Sequence, residues 1–258
     1  MNSIYVGTSG YSYKEWVGSF YPQQTKNEEY LSYYANQFPT VELNFSYYRM
    51  PEHQQLVKMA EQASHLLFSI KAHQSLTHTV KTDQWRSEAV IFQKAVAALA
   101  QKGCLGAILL QFPYSFHYEV EQRLYLGNLI GALNGFPLAV EFRNAQWYNN
   151  RTLDELRKRE VTLVSLDLPL LKNSPPIVDV LTSSVAYIRL HGRNEQSWWN
   201  SDTASRYDYF YSAQELQRIA ARINSLAVNA KKVFIYFNNH RNAQAALNAQ
   251  SLKELLKD

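Results

Sequence analysis

Seven short apolar runs carry ionisable or amide side chains on a single parity, and these gather near the C-terminal end of each run: Val41-Glu42-Leu43-Asn44-Phe45, Phe68-Ser69-Ile70-Lys71, Ile108-Leu109-Leu110-Gln111-Phe112, Val140-Glu141-Phe142-Arg143, Val164-Ser165-Leu166-Asp167, Ile188-Arg189-Leu190-His191 and Phe234-Ile235-Tyr236-Phe237-Asn238. Carboxylates (Glu42, Glu141, Asp167), protonatable or cationic groups (Lys71, Arg143, His191, with His240 just beyond) and amides (Asn44, Gln111, Asn238, Asn239) are the parts needed to move protons and grip an anion. Strand side chains alternate between faces. One face of each run is therefore apolar and the other holds the chemistry, and buried charge persists only where it is paired or used.

The elements that position these residues follow from the spacing. With Ile4-Tyr5-Val6-Gly7-Thr8 there are eight strand-like runs, separated by helical patterns. Eight strands alternating with helices predict an α/β fold, a single (β/α)8 TIM barrel over residues 1–258, with its reactive face at the strand C-termini. Helices are expected over 26–37, 51–64, 83–102, 119–133, 153–159, 213–229 and 243–256. In the 83–102 helix Asp83 is the expected cap, Ile91, Ala95, Ala98 and Leu99 the buried stripe and Gly103 the stop. Pro175-Pro176 leaves only a short or irregular helix between 169 and 181. Gly7-Thr8-Ser9-Gly10 lacks the full dinucleotide fingerprint of an open doubly wound sheet. Ser9 stands beside Gly10 with no assignable base nearby.

Composition narrows the partners. The chain has 258 residues, a net charge of +4 and 46% hydrophobic residues. That excess of positive charge is too small and too scattered to argue a dedicated nucleic-acid surface, although nucleic acid stays a weakly supported partner. The one cysteine, Cys104, fits a reducing compartment. The chain enters a strand within a few residues and contains no apolar run of spanning length, so a cytoplasmic protein without a membrane partner is expected.

Within the expected mouth, Glu42, Glu141, His191 and Asp167 are the candidate catalytic groups: Glu141 or Glu42 as general base and His191 as general acid. Lys71, Arg143, Asn44, Gln111, Asn238, Asn239, His240, Arg193, Tyr11 and Trp147 are the candidate substrate-binding groups. Arg189, one layer below His191, is expected to pair with Glu42 or Glu141. The loops His191-Gly192-Arg193-Asn194 and Asn238-Asn239-His240-Arg241 suggest an anion site at a helix N-terminus, with Gly192 allowing backbone approach. Aromatic residues crowd the loops: Tyr11, Tyr13 and Trp16, Tyr47 and Tyr48, Trp147 and Tyr148, Trp198 and Trp199. Glu42, Glu141, Asp167 and His191 make a divalent metal a candidate cofactor without any close-spaced ligand motif; no metal ligand is assigned. An anionic, phosphorylated or carboxylated small molecule is the expected substrate. A sugar-active hydrolase with paired carboxylates and a non-catalytic nucleic-acid or protein binder are the alternatives.

At these residues the chain resembles the DUF72 (YecE-like) family of uncharacterised TIM-barrel proteins along almost its whole length. The matching segments include Gly7-Thr8-Ser9-Gly10 with Tyr13-Lys14-Glu15-Trp16, Val41-Glu42-Leu43-Asn44, Phe68-Ser69-Ile70-Lys71-Ala72 with Thr77-His78, Leu110-Gln111-Phe112-Pro113, Glu141-Phe142-Arg143 with Trp147, Arg189-Leu190-His191-Gly192 and Tyr236-Phe237-Asn238-Asn239-His240. The resemblance implies a TIM barrel and brings no reaction with it. The chain departs from the family pattern at Tyr11, where tryptophan is usual, and at Asn144, where histidine is usual.

Overall fold

In the computed structural model, which describes residues 3–172, 174–195 and 206–256, eight strands close into a parallel barrel in sequence order. They are β1 (Ser3–Ser9), β2 (Thr40–Leu43), β3 (Leu67–Lys71), β4 (Leu105–Phe112), β5 (Leu138–Phe142), β6 (Thr162–Asp167), β7 (Val185–Leu190) and β8 (Lys232–Phe237). β8 pairs with β1, so no strand is left with an unpaired edge. The connecting helices are α1 (Tyr30–Gln37), α2 (Phe45–Tyr48), α3 (His53–Gln62), α4 (Trp85–Gln101), α5 (Val120–Ala132), α6 (Asn150–Lys158), α7 (Ala213–Ala227) and α8 (Gln244–Leu255). No helix joins β6 to β7 among the described residues; Pro169, Pro175 and Pro176 lie in that segment and remove helix donors. Among the described helices, none is long and apolar enough to cross a membrane.

Two apolar clusters follow from the strand alternation. The inner one fills the barrel with Leu109, Ala139, Val164, Leu166, Phe234 and their neighbours. The outer one joins the other strand face, including Val41, Phe68 and Ile188, to the helices. Helix α4 illustrates how an expected stripe rotates. Its buried face runs through Ala89, Phe92, Ala95, Val96 and Leu99, and Ile91 is exposed. The cap position is Gln84 with no side-chain bond, rather than Asp83. Gly103 does end the helix, in the left-handed conformation that glycine adopts without strain.

Gly7 shows how tightly the barrel closes. It pairs with Thr40 on one side and Tyr236 on the other. A Cβ there would lie 2.0 Å from the Thr40 carbonyl oxygen. Gly7→Ala is therefore expected to destabilise the fold by about 1–3 kcal/mol, read from the urea midpoint; an unchanged midpoint would contradict this packing.

Candidate active site

The inward side chains at the C-terminal ends of the strands meet in one buried network. Arg189 on β7, 2% exposed, is its hub. Its Nη2 donates to Glu42 Oε1 at 2.8 Å and its Nη1 to Glu141 Oε2 at 2.6 Å. Glu42 is completed by Ser9 Oγ and by the Tyr187 hydroxyl, both at 2.6 Å. Below lies a second polar layer, where the Tyr236 hydroxyl contacts Thr40 Oγ1 at 2.6 Å and donates to Ser69 Oγ at 2.9 Å. Every carboxylate oxygen in this network is satisfied, as burial requires.

Above the hub, Arg143 Nε donates to Glu141 Oε1 at 2.5 Å, and Arg143 Nη2 lies 3.1 Å from His191 Nε2. Asn238 Nδ2 lies 3.0 Å from His191 Nδ1. A neutral imidazole cannot accept at both nitrogens. With the Asn238 amide turned over, Nδ1–H donates to its oxygen and Nε2 accepts from Arg143, which satisfies all three groups. Burial, reinforced by the charges of Arg143 and Arg189, pushes His191 down to about 3. The same two guanidinium groups outweigh burial at Glu141 and hold its carboxyl well below the usual carboxylate range.

A cavity of about 230 Å³ opens over this network, lined by His78, Gln111, Arg143, Leu168, Arg206 and Tyr207 among others. Lys71, half-buried at the end of β3, is outside the lining but within electrostatic reach of two residues that form it, His78 and Arg143, and its Nζ lies 4.0 Å from the Tyr47 ring centre. Burial and then the Arg189 charge lower the Lys71 amine to about 7, against the opposing pull of Glu141 and Glu42.

The family described as "Protein of unknown function DUF72" matches residues 5–258. The chain belongs to the DUF72 family. It is 28% identical to the UPF0759 protein YunF of Bacillus subtilis, over 98% of this chain and 94% of that one. A DUF72 crystal structure from Thermotoga maritima superposes with a TM-score of 0.93 at 34% identity, covering 100% of both chains. One from Enterococcus faecalis gives 0.89 at 24% identity, over 99% of this chain and 96% of that one, a likeness of fold.

In this DUF72 barrel, Glu42, Lys71, Gln111, Glu141, Arg143, His191 and Asn238 come together at one end, with Arg189 bridging both glutamates rather than one. Asn44 follows β2 at the start of α2, its Oδ1 buried without a hydrogen-bond partner. Asp167 does not join them. Leu166 pairs with Arg189 and so shares the inward face, whereas Asp167 pairs with Leu190 and points outward. There it binds Arg193 at 2.6 Å, Arg222 at 3.1 Å and the Tyr211 hydroxyl at 2.9 Å. Arg193, expected on the anion, is held by Asp167 and by Glu215 at 3.1 Å. With Asp167 outside and the two glutamates tied to Arg189, the candidate metal ligands are not assembled, and no group of three or more such ligands stands together among the described residues.

The expected anion site between the β7 and β8 loops is likewise filled by protein. Gly192 N–H donates to the Tyr211 hydroxyl, and its missing side chain makes room for Tyr209, whose Cβ lies 2.6 Å from where a Cβ would stand. Arg241 pairs with Asp208 at 2.9 Å, and His240 stacks on Tyr13 at 5.0 Å near Glu15. Asn239, fully buried, donates to Tyr209 O and Asn248 Oδ1. Trp147 is buried against Phe142 and Phe116, with Nε1 donating to the Phe116 carbonyl. Tyr11 packs on Tyr34. Trp198 and Trp199 lie outside the described residues. Asn144 caps the turn at Ala145–Trp147 through Gln146 N–H and contacts His117.

His78, Arg206, Tyr207 and the inner hydroxyls of Tyr187 and Tyr236 were not among the expected site residues. The tyrosines carry the inward parity of Arg189 and Asn238, a signal their strands do contain. Arg206 and Tyr207 follow a long connection and carry none.

Two outcomes are expected. Arg189→Met strands two buried carboxylates and should cost about 3–5 kcal/mol in denaturant unfolding, more than His191→Ala; the reverse ranking would refute the hub. His191 is neutral in the fold and protonates in the unfolded chain near pH 6.5. Its contribution is complete above about 6.5 and is lost as pH falls toward 3. The slope of stability between pH 6.5 and 4 should therefore be smaller in His191→Gln than in the wild type, and equal slopes would contradict the assignment. His78, lowered by burial and then Lys71 to about 4, supplies the same sign in both proteins.

Proposed function

We propose that the barrel mouth binds the anionic group of a small phosphorylated or carboxylated molecule and that the protein is an acid/base enzyme acting on it. The observation that carries this reading is the sign of the cavity. Arg143 and Arg206 line it, Lys71 is within electrostatic reach of the lining residues His78 and Arg143, and no carboxylate is among its described lining residues. Glu42 and Glu141 are nearby but wholly buried behind Arg143 and Arg189. They fix the cations rather than face a ligand. A guanidinium held at one edge by a carboxylate is rigid, and rigid donors bind oxyanions with little ordering cost.

The roles differ from those the sequence suggested. His191 stays neutral and holds Arg143, so an imidazolium acid is not available near pH 7. Glu141, held ionised far below that pH, is a poor general base. Lys71 has the matched affinity for protons, close to the working pH, and is the acid/base group of this reading. Arg143 is the anion anchor and Gln111 an additional polar contact. Hydrolase- or lyase-type chemistry fits these groups. A paired-carboxylate sugar hydrolase is less well supported, because both glutamates are wholly buried and tied to one guanidinium. A nucleic-acid binder would need unpaired basic groups across the surface, whereas Arg193, Arg222 and Arg241 are matched to acids.

Calorimetric titration with inorganic phosphate and sulfate at low salt tests the reading. Binding in the millimolar to micromolar range, roughly −4 to −8 kcal/mol, is expected, weakened about tenfold or more by Arg143→Ala. Sulfate keeps its charge between pH 6 and 8, so its binding should tighten toward pH 6 as Lys71 protonates, and this pH effect should vanish in Lys71→Met. No heat with either anion, or binding indifferent to both substitutions, would reject it.

A further inference from the structure

We propose that Lys71 is a covalent catalytic residue, forming an imine with an aldehyde or ketone substrate that also carries the anionic group. This rests on the anion-site reading above and names the substrate class of the same cavity.

Among the described residues, no hydrogen bond and no carboxylate within 4.0 Å engages Lys71 Nζ. The two nearest strand glutamates are already claimed: Glu42 by Arg189, Ser9 and Tyr187, Glu141 by Arg189 and Arg143. The surface lysines Lys102 and Lys158 instead pair with Glu61 and Glu155. Among the described residues Lys71 is thus an amine near two guanidinium groups and two carboxylates already paired with them, without a counter-ion of its own. Its backbone is pinned, because Ser46 Oγ donates to the Lys71 carbonyl at 2.6 Å. Its Nζ lies over Tyr47, whose ring meets His78 edge-on at 4.8 Å, and His78 lines the cavity.

A lysine serving only as a cation over an aromatic ring is favoured in its charged form. Here burial and Arg189, with a smaller push from Arg143, lower it to about 7. Near neutral pH a large share of the amine is unprotonated and nucleophilic, the activation that desolvation and a neighbouring cation give to imine-forming lysines. The charged groups that set this balance are Arg189, Glu141, Glu42 and Arg143; Tyr47 of α2 packs against the amine and His78, after β3, packs against Tyr47.

The step balances without a cofactor. The Lys71 nitrogen lone pair attacks the carbonyl carbon and forms a C–N bond. The carbonyl π pair moves to oxygen, which gathers the proton released by nitrogen and one more from solvent and leaves as water. A protonated C=N bond remains on Lys71, an electron sink for breaking a bond at the adjacent carbon. Arg143 holds the substrate's anionic end meanwhile.

The test is reductive trapping on the full chain. Glycolaldehyde phosphate, glyoxylate and uncharged glycolaldehyde are each incubated at pH 7 with cyanoborohydride, and adducts are located by mass spectrometry of the digest. One adduct per chain at Lys71 is expected with the two anionic probes. It should form at least tenfold faster than with glycolaldehyde, be slowed by inorganic phosphate and disappear in Lys71→Arg. Adducts spread over many lysines, at equal rates in wild type and Lys71→Arg, would overturn the imine; phosphate binding seen calorimetrically would then leave the anion site standing. Rapid trapping at Lys71 with all three probes and no protection by phosphate would keep the imine and reject the anion site. Should Lys71→Arg not fold, the mapped position in the wild-type protein decides between the same outcomes.

Discussion

A single guanidinium, Arg189, holds carboxylates from two other strands inside the barrel. Ion pairs away from water cost several kcal/mol in desolvation per charge and persist only with near-complete hydrogen bonding. Here Glu42 takes donors from β1 and from two β7 side chains, and Glu141 takes them from Arg189 and Arg143. The network therefore ties β1, β2, β5 and β7 across the barrel lumen, at right angles to the backbone ladder. A one-residue slip of any of these strands would turn its charge toward the outer apolar face. The pairing selects the register as much as it stabilises it.

The chemistry of the mouth follows from the same pairing. Two carboxylates are consumed below the surface, one of them anchoring Arg143 and with it His191. What remains among the described residues is a cavity lined by two guanidinium groups and, close to it, an amine whose protonation is depressed by burial and then by the Arg189 charge. The glutamates thus act through position and field, and the reactive candidate is the lysine with which neither forms an ion pair.

The barrel and most of the inward set were legible because period-two alternation is a local property of each strand. What a strand does not carry is an absolute reference for which parity faces in. Val164-Ser165-Leu166-Asp167 alternates like its neighbours, yet its polar residues face outward, and only the pairing of Leu166 with Arg189 decides this. Arg193 went astray with it, since its partner is that outward carboxylate. Gly192 was legible as a close approach, but the approaching group is Tyr209 rather than a ligand. Trp147 and Asn239 look like binding residues in sequence because aromatic and amide side chains serve packing and recognition equally well. The segment rich in proline before β7 was legible as irregular, and the cavity residue Leu168 lies at its start.

The central claim is that Glu141 is a permanently ionised support rather than a proton-transfer group. Carbon-13 NMR of the glutamate side-chain carboxyls, with Glu141 assigned by comparison with Glu141→Gln, tests it directly across the acid titration. The account predicts that the Glu141 resonance keeps its ionised shift down to the lowest pH at which the protein stays folded, well below the midpoints of surface glutamates. A Glu141 midpoint at or above about 4.3, the ordinary glutamate value, would contradict it and return that carboxylate to the list of catalytic acids and bases.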